Sequence, residues 1–335
     1  MELFKLTRQL VDIESVTGNE KAVALFLADY LRKLGAEVEL ADAEPDRPNV
    51  LALWGKPDVV LSTHLDTVPP YFPSREDDEF IYGRGSCDAK GIVAAQVEAA
   101  VRLVADGVRD LALLFVVGEE RNTVGALAAN RRTPGSRYLI NGEPTDNLLA
   151  VGTKGVLRLE FEATGRMAHS AYPELGESAT EKLIEALYRL RAMQLPEDAL
   201  LGKTTYNIGT IQGGIAPNVI PDAARAEVLY RLVSPADPLQ QAIEQQVGSL
   251  VTVKRVLEIP AVRLNVIDGI DGLATTVVAF CTDIPTLTNW GKPYLLGPGS
   301  IRVAHTEHER VSKKELVQAA EIYVKMVKKL KSSDE

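Results

Sequence analysis

The chain has 335 residues, 46% of them apolar and 25% charged, enough for two domains with sizeable cores. A net charge of −9 argues against nucleic acid or an anionic membrane as partner, and two cysteines, Cys87 and Cys281, suit a reducing, cytoplasmic setting. An amphipathic pattern starts at Met1 and no apolar run is long enough to span a bilayer, so neither a leader nor an anchor is expected.

Residues 21–34 place Val23, Leu27, Leu31 and Leu34 at helical spacing, and Gly35 follows as a stop. Residues 58–63 form a short apolar strand pattern. Residues 91–104 are rich in Ala and Val with little charge, which predicts a buried helix. The continuous apolar run 111–117 is the mark of a strand covered on both faces, and 138–140 is another short strand. Strand–helix alternation of this kind predicts an α/β sandwich. After Gly152 the pattern changes: Leu157, Leu159, Phe161 and Ala163 alternate with Arg158, Glu160 and Glu162, as in a sheet with one wet face. A helix over 177–192, strands over 204–211 and 224–233, a helix over 235–250 and a strand over 251–262 complete a β-α-β-β-α-β order, that of a split ferredoxin-like unit. The α/β character returns near residue 264 and closes with a helix over 313–330, and the charged tail 325–335 is expected to fray. The expected division is a discontinuous first domain, 1–152 and 264–335, interrupted by an α+β domain at 153–263.

Metal-compatible side chains fall at the ends of these strands. His64 and Asp66 follow the first, Glu119 and Glu120 the second, and Glu143 the third, while Asp88 precedes the buried helix and His305 lies near the C-terminus. Ligands of open α/β sheets bind beyond the carboxyl ends of the strands, so several segments would deliver donors to one edge. Taken singly, each residue is more often structural: a Glu-Glu pair is usually a solvated turn, a His-x-Asp a surface hydrogen bond, and Asp88 a helix cap. Two of only four histidines join the set, and two imidazoles with three carboxylates suit a pair of zinc-like ions. One ion would take His64 and Glu143, the other Glu120 and His305, with Asp88 bridging. Asp66, two residues from His64, could accept from the far imidazole nitrogen and fix the ring. Glu119 is the candidate general base for a water between the ions.

The stretches His64-Leu65-Asp66-Thr67-Val68-Pro69, Gly83-Arg84-Gly85-Ser86-Cys87-Asp88-Ala89-Lys90-Gly91, Gly118-Glu119-Glu120 and Gly142-Glu143-Pro144-Thr145 resemble the M20 metallopeptidase family, which includes acetylornithine deacetylase, succinyl-diaminopimelate desuccinylase, aminoacylases and glutamate carboxypeptidases. The resemblance implies a zinc-exopeptidase-like catalytic domain with an inserted lid that dimerises. It implies His64, Asp88, Glu120, Glu143 and His305 as metal ligands, Asp66 behind His64, and Glu119 as base. Two Zn2+ per subunit are expected, with Co2+ or Mn2+ as substitutes. Glu at position 143 resembles the deacylase and carboxypeptidase branch. Gly165 to Pro173 is similar to the lid histidine motif, which would make His169 an oxyanion donor reaching a partner subunit. Gly213 to Pro221 also resembles the family, and Asn218 and Arg231 would then hold substrate; Arg231 equally suits the solvated face of its strand beside Arg225 and Glu227. Gly299, in Gly297-Pro298-Gly299-Ser300, could turn a backbone N–H toward a substrate carboxylate. His305 has a rival ligand in His308, and spacing to Glu309 favours His305.

The site residues and the resemblance together imply a di-zinc amidohydrolase that removes the acyl group from an N-acyl amino acid, a deacetylase of amino-acid biosynthesis acting as a homodimer. The alternatives are a metallo-carboxypeptidase or dipeptidase, and a hydrolase releasing an amino acid from a carrier protein. An altered Glu119 or a missing ligand would mark a non-catalytic binding protein, and neither is seen.

Overall fold

The computed structural model describes residues 1–332. The chain divides into two compact units: Met1–Val151 with Leu264–Thr276 and the described residues from Thr282 to Ser332, and Gly152–Arg263 with Val277–Cys281. The short return of residues 277–281 to the second unit is not visible in the sequence pattern.

The first unit opens with the helices Glu2–Val11 and Lys21–Lys33. Its strands are Glu37–Glu44 (β1), Arg47–Trp54 (β2), Val59–His64 (β3), Leu111–Val116 (β4), Tyr138–Asn141 (β5) and Leu149–Thr153 (β6). β1 and β2 form an antiparallel hairpin that the sequence pattern does not reveal, because β1 is mostly exposed. The helix Lys90–Ala105 is buried along most of its length. Every residue of β3, β4 and β5 is buried, as continuous apolar runs require, and each Leu or Phe so enclosed contributes roughly 1.5–3 kcal/mol.

In the second unit, Gly155–Thr164 (β7), Thr205–Gly213 (β8), Ala223–Leu232 (β9) and Thr252–Ile259 (β10) form an antiparallel sheet in the order β8-β9-β7-β10. The helices Ala179–Arg191 and Ala236–Val247 follow β7 and β9 in the chain. Leu157, Leu159, Phe161 and Ala163 share a core with Leu183, Leu187 and Ile243 of these helices, while Arg158, Glu160 and Glu162 are half-buried on the other face.

The chain then supplies the strand Lys292–Leu295 (β11) to the first sheet and Arg310–Ser312 (β12) to a small one with Phe80–Tyr82. The large sheet runs β1-β2-β4-β3-β5-β11-β6 and is mixed, with β4, β3, β5 and β11 mutually parallel. Four parallel strands therefore end on the same edge. The closing helix, Lys313–Ser332, stays helical through the residues where fraying was expected; the last three residues of that tail lie outside the described residues.

Candidate metal centre

His64 is the last residue of β3, not the residue after it, and Glu120 and Glu143 occupy the turns after β4 and β5. Several contacts fix those turns. Gly142 N–H donates to Ser62 O (2.7 Å) and Thr63 Oγ1 to Gly142 O (2.8 Å), which sets Glu143 beside β3. Asn49 Oδ1 accepts from Val117 N–H (3.1 Å) while its Nδ2 donates to Gly125 O (2.8 Å), bracing the turn that carries Glu119 and Glu120. Gly118 has φ +77°, a conformation that a side chain would strain.

Two groups of donors result. One oxygen or nitrogen from each of His64, Asp88 and Glu143 lie within 4.8 Å of one another, and so do those of Asp88, Glu120 and His305. Asp88 is common to both: its Oδ1 lies 3.0 Å from His64 Nε2 and its Oδ2 3.3 Å from His305 Nε2. His305 Nε2 is also 2.9 Å from Glu120 Oε1. His305 sits at φ +64°, in the left-handed region that non-glycine residues seldom occupy. His308 is exposed, lies 3.4 Å from Glu307, and belongs to neither group.

Asp66 differs from expectation. His64 Nδ1 lies 3.0 Å from the carbonyl oxygen of Asp66 and 3.6 Å from its carboxylate. The carboxylate instead accepts from the N–H groups of Glu119 (3.1 Å) and Glu120 (3.2 Å) and from Thr17 Oγ1 (2.8 Å). One aspartate thus fixes the imidazole through its backbone and the Glu119–Glu120 turn through its side chain. Gly299 also departs: at φ +85° it donates its N–H to Glu315 Oε2 (3.1 Å), so the carboxylate it meets comes from the chain itself. A Cβ there would stand 2.5 Å from Cys87 Sγ.

Burial and crowded carboxylates set the electrostatics of the site. Burial, then the neighbouring carboxylates, pushes Glu119 and Glu143 well above the ordinary carboxyl range, and burial raises Glu120 as well. Hydrogen bonds to Asp88 and Glu120 lift His305 to about 10. Burial opposes charge on His64, yet its bonds to Asp66 and Asp88 raise it well above 6.5. Glu143 Oε1 is buried with no hydrogen-bond partner. An orphaned carboxylate oxygen among nitrogen and oxygen donors fits divalent cations of the zinc, manganese or cobalt type.

Asp283 is a buried neighbour that the sequence reading did not single out. Its Oδ1 has no hydrogen-bond partner, and burial pushes its carboxyl up to about 7, under the influence of His64 and Asp66. No local motif surrounds it, and only the fold brings it near. In the second unit, His169 and Asn218 meet on one short ribbon: His169 pairs with Val219, and Ser170 N–H donates to Asn218 O at 3.1 Å. Arg231 lies on the face of β9 shared with Arg225 and Glu227, half-buried.

The family described as Peptidase family M20/M25/M40 matches residues 60–329. The chain belongs to that family. A Peptidase M20 domain-containing protein of Schizosaccharomyces pombe is 40% identical over 336 residues, covering 97% of this chain and 84% of that one. A protein of Aspergillus clavatus named "Probable carboxypeptidase" is 39% identical, covering 97% and 82%. Among solved structures, a tripeptidase from Staphylococcus aureus superposes with a TM-score of 0.82 at 23% identity, covering 97% of each chain. An M20 family metallo-carboxypeptidase from Sulfolobus solfataricus superposes with a TM-score of 0.76 at 18% identity, covering 98% and 99%. These two share the fold. As an M20 peptidase, the chain is a metal-dependent hydrolase of amide bonds. Among the described residues, no helix is long and apolar enough to cross a membrane.

Proposed function

We propose that the chain is a two-metal hydrolase that releases a C-terminal amino acid from a short peptide. The single observation that carries this reading is the sharing of Asp88 between two donor groups, with its two oxygens 3.0 Å and 3.3 Å from different imidazoles. His64, Asp88 and Glu143 would hold one ion, and Asp88, Glu120 and His305 the other. Zinc would suit these sets of three nitrogen and oxygen donors, which leave a position for water. When bound, such a pair of ions polarises the scissile carbonyl and makes water acidic enough to attack at neutral pH.

The residues of the chain supply the rest. Glu119 accepts the proton of the attacking water on its carboxylate and returns it to the leaving amine. Burial raises its affinity for protons, which suits that shuttle, and the Asp66 carboxylate holds its backbone in place. His169 accepts from Ala171 N–H on Nδ1 at 3.1 Å, which leaves the proton of a neutral ring on Nε2. That N–H is the donor offered to the carbonyl oxygen as charge develops there. Asn218, tied to Ser170, and Arg231 are assigned to substrate, with Arg231 facing its carboxylate. The second unit serves as a lid through which two copies pair. Ile184 and Tyr188, on one face of the helix Ala179–Arg191, are 64% and 67% exposed, and Ile211 on the edge strand β8 is 61% exposed.

The names of relatives between 34% and 39% identical favour the carboxypeptidase reading over the deacetylase one. Both reactions break an amide whose nitrogen belongs to an amino acid with a free carboxylate. The test is a panel on zinc-loaded protein: N-blocked dipeptides, their C-terminal amides, free dipeptides and N-acetyl amino acids. Cleavage of blocked dipeptides but not their amides is expected. Preference for N-acetyl amino acids would return the function to acyl-amino-acid hydrolysis, and preference for free dipeptides to a dipeptidase.

A further inference from the structure

Arg84 and Glu309 belong to neither donor group, yet they form a fully enclosed ion pair beside Asp88. Their side chains are 2% and 0% exposed, and Arg84 Nη1 donates to Glu309 Oε2 at 2.5 Å. Arg84 Nε donates to Pro70 O at 3.2 Å, and its guanidinium carbon lies 5.0 Å from the centre of the Phe72 ring. The other oxygen, Glu309 Oε1, accepts three backbone N–H groups: Gly85 at 2.8 Å, Cys87 at 3.2 Å and Asp88 at 3.1 Å. Glu309 O also accepts from Gly83 N–H at 3.2 Å. One residue further on, Arg310 pairs with Tyr82 in the small sheet.

These contacts have a geometric consequence. The segment that carries His305 ends four residues later in a carboxylate that holds the loop carrying Asp88. Two donors of the group Asp88, Glu120 and His305 thus depend on a single buried strut. A buried ion pair seldom stabilises a fold more than an apolar pair of similar volume, so stability alone is a weak account of it. A carboxylate accepting three amides of one loop dictates the path of that loop.

We propose that the Arg84–Glu309 pair is a positioning strut that holds residues 85–88 so that Asp88 faces both donor groups, and that it sets the affinity of the group Asp88, Glu120 and His305 for its divalent cation. The inference rests on the two-metal reading of the site and not on the substrate.

The experiment is calorimetric titration of zinc into the metal-free chain, with a thermal melt of each variant as a control for folding. The wild-type chain takes up two equivalents. Arg84→Leu with Glu309→Leu removes the acceptor of the three N–H groups without stranding a charge and weakens one equivalent about 10–100-fold. In the apolar pair kcat falls with that equivalent while KM moves little. Wild-type affinity for both equivalents in the apolar pair overturns the proposal. If the apolar pair does not melt cooperatively, Glu309→Asp decides, because it keeps the charge beside Arg84 but draws the oxygens back by one methylene. The same weakening is then expected, and unchanged affinity overturns the strut. A wild-type chain that binds one equivalent also overturns it. Two equivalents with no cleavage of any panel substrate removes the substrate reading alone.

Discussion

The two donor groups share Asp88 and use the same kinds of side chain, but they differ in access. His64, Asp88 and Glu143 are all buried, whereas the side chain of His305 is 47% exposed and that of Glu120 is 8% exposed. The closed group is built from the ends of β3 and β5, adjacent parallel strands whose register fixes the spacing of its donors. The open group is built from the turn after β4 and a loop that passes through a left-handed residue at His305. Strand register delivers the enclosed half of the site, and loops deliver the half that water and substrate can reach.

The largest expected effect falls on the shared residue. Asp88→Ala should lose both zinc equivalents and bring turnover to background, measured by metal analysis of the purified protein alongside peptide hydrolysis. Retention of one tightly bound equivalent would separate the two groups and break their equivalence at Asp88. Next comes Glu119→Gln, for which kcat falls about 10²–10⁴-fold while both equivalents remain. Metal loss in that variant would make Glu119 a ligand instead of a proton carrier.

The comparison sharpens when the two imidazoles are removed separately. His64→Ala leaves Asp88 Oδ1 buried without its imidazole partner and should destabilise the chain by about 1–3 kcal/mol in addition to losing metal. His305→Ala, at a half-exposed position, should lose one equivalent and destabilise the chain less than His64→Ala does. Denaturant melts of the two variants decide it, and equal destabilisation would mean the open group is as structural as the closed one.

The smallest effect is on the pH dependence of the metal-free chain. His305 holds its proton up to about 10 against an ordinary 6.5, so its contribution is complete below pH 6.5 and fades as pH climbs toward 10. His64 is raised in the same sense. Glu119 and Glu143, raised by burial, act in the same direction, because the folded chain keeps protons that the unfolded chain releases. In chelator, Tm should therefore decline between pH 6.5 and pH 9, and saturating zinc should flatten that decline by replacing the protons with cations. A Tm that rises with pH in chelator would show that the site carries no proton excess.

Much of the scaffold was legible because it is locally encoded. The apolar runs 111–117 and 138–140 and the strict alternation around Leu157 to Ala163 are patterns of neighbours, and the strands formed there. β1 escaped because both its faces carry polar residues, and β11 because Lys292 and Pro293 leave no apolar run in its first half. The donors were legible as residue types beside strand ends. The partners of Asp66 were not, since its carboxylate reaches the turn after a different strand, and neither was the bond from Gly299 N–H to Glu315.

The sequence alone determined which side chains can bind a cation, which segments become strands, and that a parallel arrangement would gather their carboxyl ends. The tertiary structure decided which oxygen of Asp88 meets which imidazole, that Asp283 lies within electrostatic reach of His64, and that Glu309 grips a loop more than two hundred residues upstream. Periodicity records which face of an element is apolar, and such long-range pairings arise only when separate elements pack in one register.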